Sequence, residues 1–156
     1  MENYSVTDVP NQTPTNYAGF WRRFGAILID GLILAIPTYF LAVWLGNSPG
    51  DRINHHTQEV EVQYFNVYNG ASLLINWLYF ALQESSAKQA TLGKQALGIY
   101  VTDTAGRRLS FMKATLRFFG KLLSGLTVGV GYVMAAFTAR KQALHDFIAD
   151  TLVLHK

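Results

Sequence analysis

Residues 24–45 read FGAILIDGLILAIPTYFLAVWL, and this stretch decides the class of fold. It contains twelve Leu, Ile, Val or Phe residues and one ionisable residue, Asp30. On a membrane-insertion scale each of those apolar residues contributes about −0.3 to −0.6 kcal/mol, whereas one Asp costs about +2.5 to +3.5 kcal/mol near the centre. About 20 apolar residues cross a hydrocarbon core of about 30 Å. The stretch is therefore predicted to be a transmembrane helix.

Two further stretches have the same character. Residues 62–82 contain no Asp, Glu, Lys, Arg or His, and residues 118–139 contain only Lys121. Charged residues make up 15% of the chain, against about 25% in a typical soluble domain. Three such stretches in 156 residues leave no amphipathic shell to cover them, which argues against a soluble core. Inside the second stretch, the amide of Asn76 is expected to bond to another helix or to water.

The third apolar segment, taken over residues 111–139, is interrupted by glycines. Gly125 and Gly129 form a G-x-x-x-G pair, and Gly131 follows. Such a pair is found where two helices approach closely, but glycines also break helices. The pattern leaves both interpretations open.

The distribution of cations predicts the orientation in the membrane. The loop at residues 46–61 contains one Lys or Arg, whereas residues 85–113 contain five. By the positive-inside rule the loop lies outside, and both termini lie in the cytoplasm. Three full spans would put Arg140 and Lys141 outside. Two complete spans need about 40 residues, and residues 111–139 are too few, so a re-entrant hairpin is preferred over a single tilted span.

Short strands are expected outside the apolar segments. Leu97–Val101 has the pattern of a strand, Asp103–Gly106 that of a turn, and Arg108–Phe111 that of a returning strand. This arrangement predicts a small cytoplasmic β-hairpin. After Arg140 and Lys141, residues 144–148 are predicted to form a short amphipathic helix at the membrane surface, and residues 151–154 a last strand.

These features together predict an all-α membrane protein with a small cytoplasmic β-hairpin. Two full transmembrane helices and a third, glycine-broken segment would form a multi-pass domain over residues 18–156, located in the cell (inner) membrane. Residues 1–17 are polar, contain scattered Asn, Thr and Pro, and are interpreted as a disordered tail.

One face of the first helix carries the residues of greatest chemical interest. Arg23, Asp30 and Pro37 are spaced by seven, which returns them to nearly the same face of a helix. Intramembrane carboxylates normally face the protein interior and mark functional sites. Pro37 leaves the carbonyl of Ile33 without a donor, and that oxygen could help to coordinate a cation.

The other interpretation is that Asp30 forms an ion pair with Arg23, Arg117 or Lys121.

The sequence gives no indication of an enzyme or of a cofactor. Cysteine is absent, and His55-His56 is the only histidine pair. His145, Asp146 and Asp150 cluster, but no nucleophile–base pair or phosphate loop accompanies them. The cations follow the positive-inside pattern rather than that of a nucleic-acid-binding surface.

Three motifs resemble those of the RDD family of membrane proteins, which is named for one arginine and two aspartates. They are AGFWRRFGAILIDG at residues 18–31, TLGKQALGIYV at 91–101 and ALHDFIADT at 143–151. By motif position, the resemblance implies that the name-giving residues are Arg23, Asp30 and Asp146. It also assigns Gly93, Lys94 and Gly98 to the G-K-x-x-x-G motif and His145 to the L-H-D motif. Two departures are Leu92, where proline is common, and Asp150, where glycine is more usual.

The resemblance implies two functional hypotheses. Most members of the family have no known function, some are reported as monovalent cation/proton antiporters, and others accompany partner proteins. This chain is accordingly expected to be a structural or accessory subunit, in which Arg23 and Asp146 join two helices at the cytoplasmic face and a partner membrane protein binds. The alternative is a homo-oligomer that exchanges Na⁺ for H⁺ at Asp30.

Overall fold

The computed structural model describes residues 16–45, 67–127 and 129–156. The expected tail over residues 1–15, the 46–61 loop with its histidine pair and the start of the second apolar segment lie outside this part of the chain. The described residues form six helices and two strands, which in chain order are α1 (Phe20–Trp44), α2 (Val67–Glu84), α3 (Leu92–Ala96), β1 (Ile99–Asp103), α4 (Phe111–Leu126), α5 (Val130–Phe137), α6 (Leu144–Ile148) and β2 (Thr151–His155).

The helix α1 presents one narrow face to the rest of the protein. Arg23, Ala26, Asp30 and Leu34 are buried on it, with spacings of three and four residues as expected for one side of an α-helix. Pro37 is exposed. Seven residues advance a helix by only about 20° less than two turns, so Pro37 lies on the same side of α1 as Asp30 but is not covered by the other described elements. The helix continues through Pro37 to Trp44.

By length and composition, α1 is the one described helix that could cross a membrane alone. The described part of α2 has 18 residues and includes Asn69, Ser72, Asn76 and Gln83, which lower its hydropathy. The prediction of two full transmembrane helices is therefore only partly supported.

A bend of 103° separates α4 from α5, and the two helices would make a second crossing if they count as one broken span. Gly129, at the start of α5, has a φ of +80°, a left-handed conformation that favours glycine. Of the two interpretations of the glycine pair, the helix break is therefore the one observed. Close packing occurs instead at Gly131, where a Cβ would come within 2.9 Å of Ser124. A straight tilted span does not fit the bend, and the re-entrant arrangement stays a prediction.

The two strands pair with each other, so the predicted β-hairpin is wrong in its second strand. β1 is antiparallel to β2, with Val101 opposite Val153, and both of these side chains are fully buried. Residues 108–110 do not form a strand because Ser110 caps α4, its hydroxyl accepting from the backbone N–H of Lys113. The predicted last strand, at residues 151–154, is confirmed.

The N-terminal end of the described chain also joins this sheet. Tyr17 forms a bridge to Leu154, and the backbone N–H of Ala18 donates to the carbonyl of Val153 at 2.8 Å. Asn16 accepts from the N–H of His155. Residues 16 and 17, which the sequence analysis assigned to the tail, thus belong to the folded part.

The structure explains the two departures from the family pattern. Leu92 is the first residue of α3, a position at which proline is favoured because its N–H would have no helical partner. Asp150 has a φ of +52°, in the region where glycine is the usual residue and Asp or Asn is tolerated. Gly98, at φ +64°, makes the turn from α3 into β1.

Candidate functional site: a buried charge network and the Asp30 site

The distribution of polar and apolar residues is the reverse of that in a soluble protein. Arg23, Asp30, Glu84, Arg117 and Asp146 are all buried. Large apolar side chains lie outside instead, including Leu32 and Ile36 on α1 and Phe137 at the end of α5. Contiguous exposed apolar surface of this kind indicates contact with lipid or with another protein.

Asp146, on α6, is the acceptor for two arginines from different helices. Arg23 of α1 donates from Nη1 to its Oδ2 atom. Arg117 of α4 donates from Nε to Oδ1 at 3.0 Å and from Nη2 at 2.5 Å. The backbone N–H of Ala143 also donates to Oδ2, at 3.0 Å, so the same carboxylate caps α6. The contact expected between Arg23 and Asp146 is present.

Glu84, at the end of α2, is the second buried carboxylate of the network. Its Oε2 accepts from Arg117 at 2.9 Å, and its Oε1 accepts from Lys94 at 2.7 Å and Lys121 at 3.1 Å. The ammonium group of Lys121 also lies 3.9 Å from the ring centroid of Phe80, a favourable cation–π distance. Arg117 therefore links Glu84 to Asp146 and joins both carboxylates into one network.

The network shifts the pKa values of the groups that lie outside the apolar segments. Burial alone would raise the pKa of Asp146, but the charges of Arg117 and Arg23 outweigh it and hold that pKa well below its usual range. Burial lowers the pKa of Lys94 to about 7, with a further lowering by Arg117. Burial likewise lowers the pKa of His145 to about 3, so His145 is neutral at physiological pH.

Asp30 occupies a separate site that is formed by hydroxyl and backbone donors. Its Oδ1 accepts from the Tyr79 hydroxyl at 2.7 Å and from the N–H of Gly93 at 2.8 Å. Its Oδ2 accepts from the Thr91 hydroxyl at 2.6 Å. A Cβ at position 93 would lie 2.9 Å from the Asp30 carboxyl group and 2.3 Å from the carbonyl oxygen of Ala26. Glycine is thus required for α3 to approach α1 this closely.

None of the ion pairs within the described residues includes Asp30. The interpretation that Asp30 pairs with Arg23, Arg117 or Lys121 is therefore wrong. The physical reason is that each of these three cations contacts Asp146 or Glu84 instead. The hydroxyl groups of Tyr79 and Thr91 stabilise Asp30 in their place.

Asn76 also has a different partner from the expected one. Its amide nitrogen donates to the carbonyl of Ser72 at 2.8 Å, one turn back in the same helix, and not to another helix.

Three functional residues escaped the sequence analysis: Tyr79, Glu84 and Thr91. Glu84 had a usable signal, because it is the first carboxylate after an apolar stretch and lies at the same predicted membrane boundary as Arg23. Tyr79 and Thr91 had none, since only the packing of α2 and α3 on α1 brings them to Asp30. Among the described residues no group of three or more His, Cys, Asp or Glu side chains could hold a metal ion.

The mostly helical fold, the candidate membrane helix α1 and the apolar exterior define a membrane-type helical protein. The chain belongs to the RDD family, whose sequence profile matches residues 17–150.

Its relatives include three proteins of Bacillus subtilis (strain 168). The uncharacterized protein YxaI is 34% identical over 148 residues, which cover 89% of this chain and 97% of the relative. The uncharacterized membrane protein YteJ is 31% identical, covering 90% of this chain and 82% of the relative. The uncharacterized protein YckC is 29% identical, covering 88% and 84%. No solved structure matches this chain.

Proposed function

We propose that this protein is a structural or accessory subunit of the cell membrane, in which Arg23 and Asp146 lock the helices together at the cytoplasmic face. One observation carries the proposal: a single carboxylate, Asp146, is hydrogen-bonded to arginines from α1 and α4. Through Arg117 and Glu84 the same network reaches α2 and α3. Five elements are thus held together by buried contacts between opposite charges.

The energetics of buried charges favour a fixed structure over a moving one. Removing one partner of a buried ion pair costs about 3–5 kcal/mol because the other charge is left uncompensated in a medium of low dielectric constant. Any rearrangement that separated Arg117 from Asp146 or Glu84 would incur a similar cost. Such a network suits a scaffold on which a partner membrane protein docks.

The surroundings of Asp30 support the same function. Its side chain accepts three hydrogen bonds and the residue is 1% exposed. A carboxylate that exchanges a proton for a cation needs access to water, and one whose oxygens are already occupied by donors is better suited to holding α2 and α3 against α1.

The second candidate is a monovalent cation/proton antiporter, and one observation favours it. Asp30 lies outside the ion-pair network, so it could exchange H⁺ for Na⁺ without disrupting that network. Its hydroxyl neighbours Tyr79 and Thr91 supply hard oxygen atoms of the kind that Na⁺ prefers. One chain has too few helices to enclose a pathway, so this function would need a homo-oligomer.

The proposed lock is tested by replacing Asp146 with Asn. The substitution leaves Arg23 and Arg117 facing a neutral amide, and we expect a loss of about 3–5 kcal/mol of stability, measured as the thermal unfolding of the purified protein in detergent. Asp150→Asn is the matched control, since Asp150 is exposed and Asn tolerates its positive φ. A normal melting temperature for Asp146→Asn would contradict the proposal.

A further inference from the structure

A cavity of about 440 Å³ lies between α1 and α5, within the range of roughly 300–1,000 Å³ that is usual for ligand pockets. Phe24 and Ile27 of α1 line one side, and Tyr132 and Val133 of α5 line the other. Most of the lining surface is apolar, as expected for a site that receives a hydrocarbon chain.

One part of the cavity lining carries four cationic side chains, those of Arg23, Lys94, Arg117 and Lys121. They are accompanied by three carboxylates, since they contact Glu84 and Asp146 and Asp30 also lines the cavity. These groups have a net charge of +1 when all are charged, and the charge falls as Lys94, whose pKa is about 7, loses its proton.

One donor of Arg23 has no acceptor among the residues that the structure describes. Its Nε donates to the carbonyl of Ala18 at 3.0 Å and its Nη1 to Asp146. Its Nη2 is buried and, within the described part of the chain, has no hydrogen-bond partner. The side chain as a whole is 10% exposed. A buried guanidinium N–H without an acceptor costs free energy, so an acceptor from outside would be stabilised there.

The cavity is open towards the apolar exterior. Phe24, Ile27 and Val133 are 43%, 42% and 44% exposed, and Leu28 and Val130 beside them are more exposed still. In a bilayer this rim faces the acyl chains, so lipid can enter the cavity sideways without crossing a polar surface.

We propose that the cavity binds one anionic phospholipid from the surrounding membrane. Its phosphate accepts a hydrogen bond from Nη2 of Arg23 and lies in the field of Lys94 and Lys121, and one of its acyl chains packs against Phe24, Ile27 and Val133. Basic pockets between membrane helices bind anionic headgroups in this way. The apolar walls favour a phospholipid over a free anion, and the unused buried donor favours it over the apolar face of a second copy.

Native mass spectrometry of the full-length protein tests the proposal, with dioleoyl phosphatidylglycerol compared with dioleoyl phosphatidylcholine. We expect the anionic lipid to bind at least tenfold more tightly, and Ile27→Trp, which fills the cavity, to abolish that preference. Leu32→Trp is the control, since Leu32 is 73% exposed on the same helix and does not line the cavity. Val133→Trp fills it from the other side should Ile27→Trp not fold.

Three results would overturn the proposal. The first is equal affinity for the two lipids in the wild-type protein, which needs no variant. The second is an undiminished preference in a folded cavity-filling variant. The third is displacement of the lipid by oleate or by inorganic phosphate at equal concentration, because the site would then belong to a fatty acid or to a free anion.

Discussion

At the scale of single residues, the three name-giving positions of the family have two different kinds of contact. Arg23 and Asp146 contact each other and share the network of Arg117. Asp30 lies on the same helix as Arg23 but is held by Tyr79, Thr91 and Gly93. The two aspartates therefore differ in what they lose when they are neutralised, and this difference can be measured.

Asp30→Asn should destabilise the protein by about 1–3 kcal/mol. The amide places an NH₂ group against a hydroxyl or N–H donor, which costs the desolvation of an unsatisfied polar group, but it leaves no cation unpaired. The loss should therefore be smaller than that of Asp146→Asn when both are measured by thermal unfolding in the same detergent. Tyr79→Phe removes one donor only and should cost less than either. Equal losses for the two aspartate variants would contradict this assignment.

His145 should make the stability of the protein depend on pH below about 6.5. Its pKa is lowered to about 3 in the folded state by burial, so between pH 6.5 and 3 the unfolded chain binds a proton that the folded chain does not. The free energy of unfolding should fall by up to about 1.4 kcal/mol for each pH unit of acidification in that window. Asp146 has the same sign but acts only below about pH 4, so between pH 6.5 and 4.5 the histidines dominate the pH dependence.

Melting temperatures of wild type and His145→Gln across that range check this prediction. The variant should flatten the pH dependence, because Gln does not titrate. His155→Gln is the comparison: the pKa of His155 is also lowered, by burial and by Arg22, so this variant should flatten the slope as well. Its effect should be smaller than that of His145→Gln, because His155 is only half-buried at the end of β2. An unchanged slope in His145→Gln would refute the prediction.

At the scale of the elements, the position of α3 against α1 depends on one glycine. A methyl group at position 93 would lie 2.3 Å from the carbonyl oxygen of Ala26, a distance that backbone atoms cannot accommodate without moving α3 away. Gly93→Ala should therefore cost about 1–3 kcal/mol or more and loosen the hydrogen bonds to Asp30.

The control for this substitution is Gly31→Ala in α1, where nothing lies within 4 Å of the added methyl group. Alanine is the better helix former by about 0.8–1.0 kcal/mol, so this variant should be as stable as the wild type or more so. If the close approach at Gly93 is correct, the melting temperature should fall in Gly93→Ala and stay the same or rise in Gly31→Ala. Similar changes in the two variants would contradict it.

The sequence predicts those elements whose signal is local. The buried face of α1 follows from the spacing of Arg23, Ala26 and Asp30, and the helix α6 from the spacing of its apolar residues. The partner of β1 could not be predicted in this way, because antiparallel pairing with β2 depends on a strand about fifty residues away. The turn at Asp103 has the sequence of a hairpin turn, and the Asp103 carboxylate accepts from the N–H groups of Ala105 and Arg107. After this turn, however, the chain continues into α4 and not into a second strand.

The same limit applies to the site. The contact between Arg23 and Asp146 could be predicted because both are charged and both fall near one membrane boundary. The partners of Asp30 could not, since the three cations offered as candidates all contact Glu84 or Asp146 instead. Which carboxylate takes which cation depends on how α2, α4 and α6 pack, and no local pattern encodes that choice.

At the scale of the whole molecule, an apolar exterior surrounds an interior that contains a network of charged side chains. The exposed faces of α1, α4 and α5 are rich in Leu, Phe and Val, while Arg23, Glu84, Arg117 and Asp146 lie inside and form one network. In a membrane such a molecule is held together less by the hydrophobic effect than by packing and buried polar contacts. The proposed function therefore gives the charges of the RDD motifs a structural role, whereas transport would require Asp30 to bind and release ions.

Cation-driven proton movement in vesicles tests that claim most directly. Purified wild-type protein and Asp30→Asn are reconstituted alone into vesicles with a pH-sensitive dye inside, and Na⁺ is added outside. If Asp30 has a structural role, the internal pH of wild-type vesicles should change no faster than that of protein-free vesicles, and Asp30→Asn vesicles should behave the same. Proton movement that requires Na⁺ and the wild-type protein, and that disappears in a folded Asp30→Asn variant, would contradict it and establish Asp30 as a transport site.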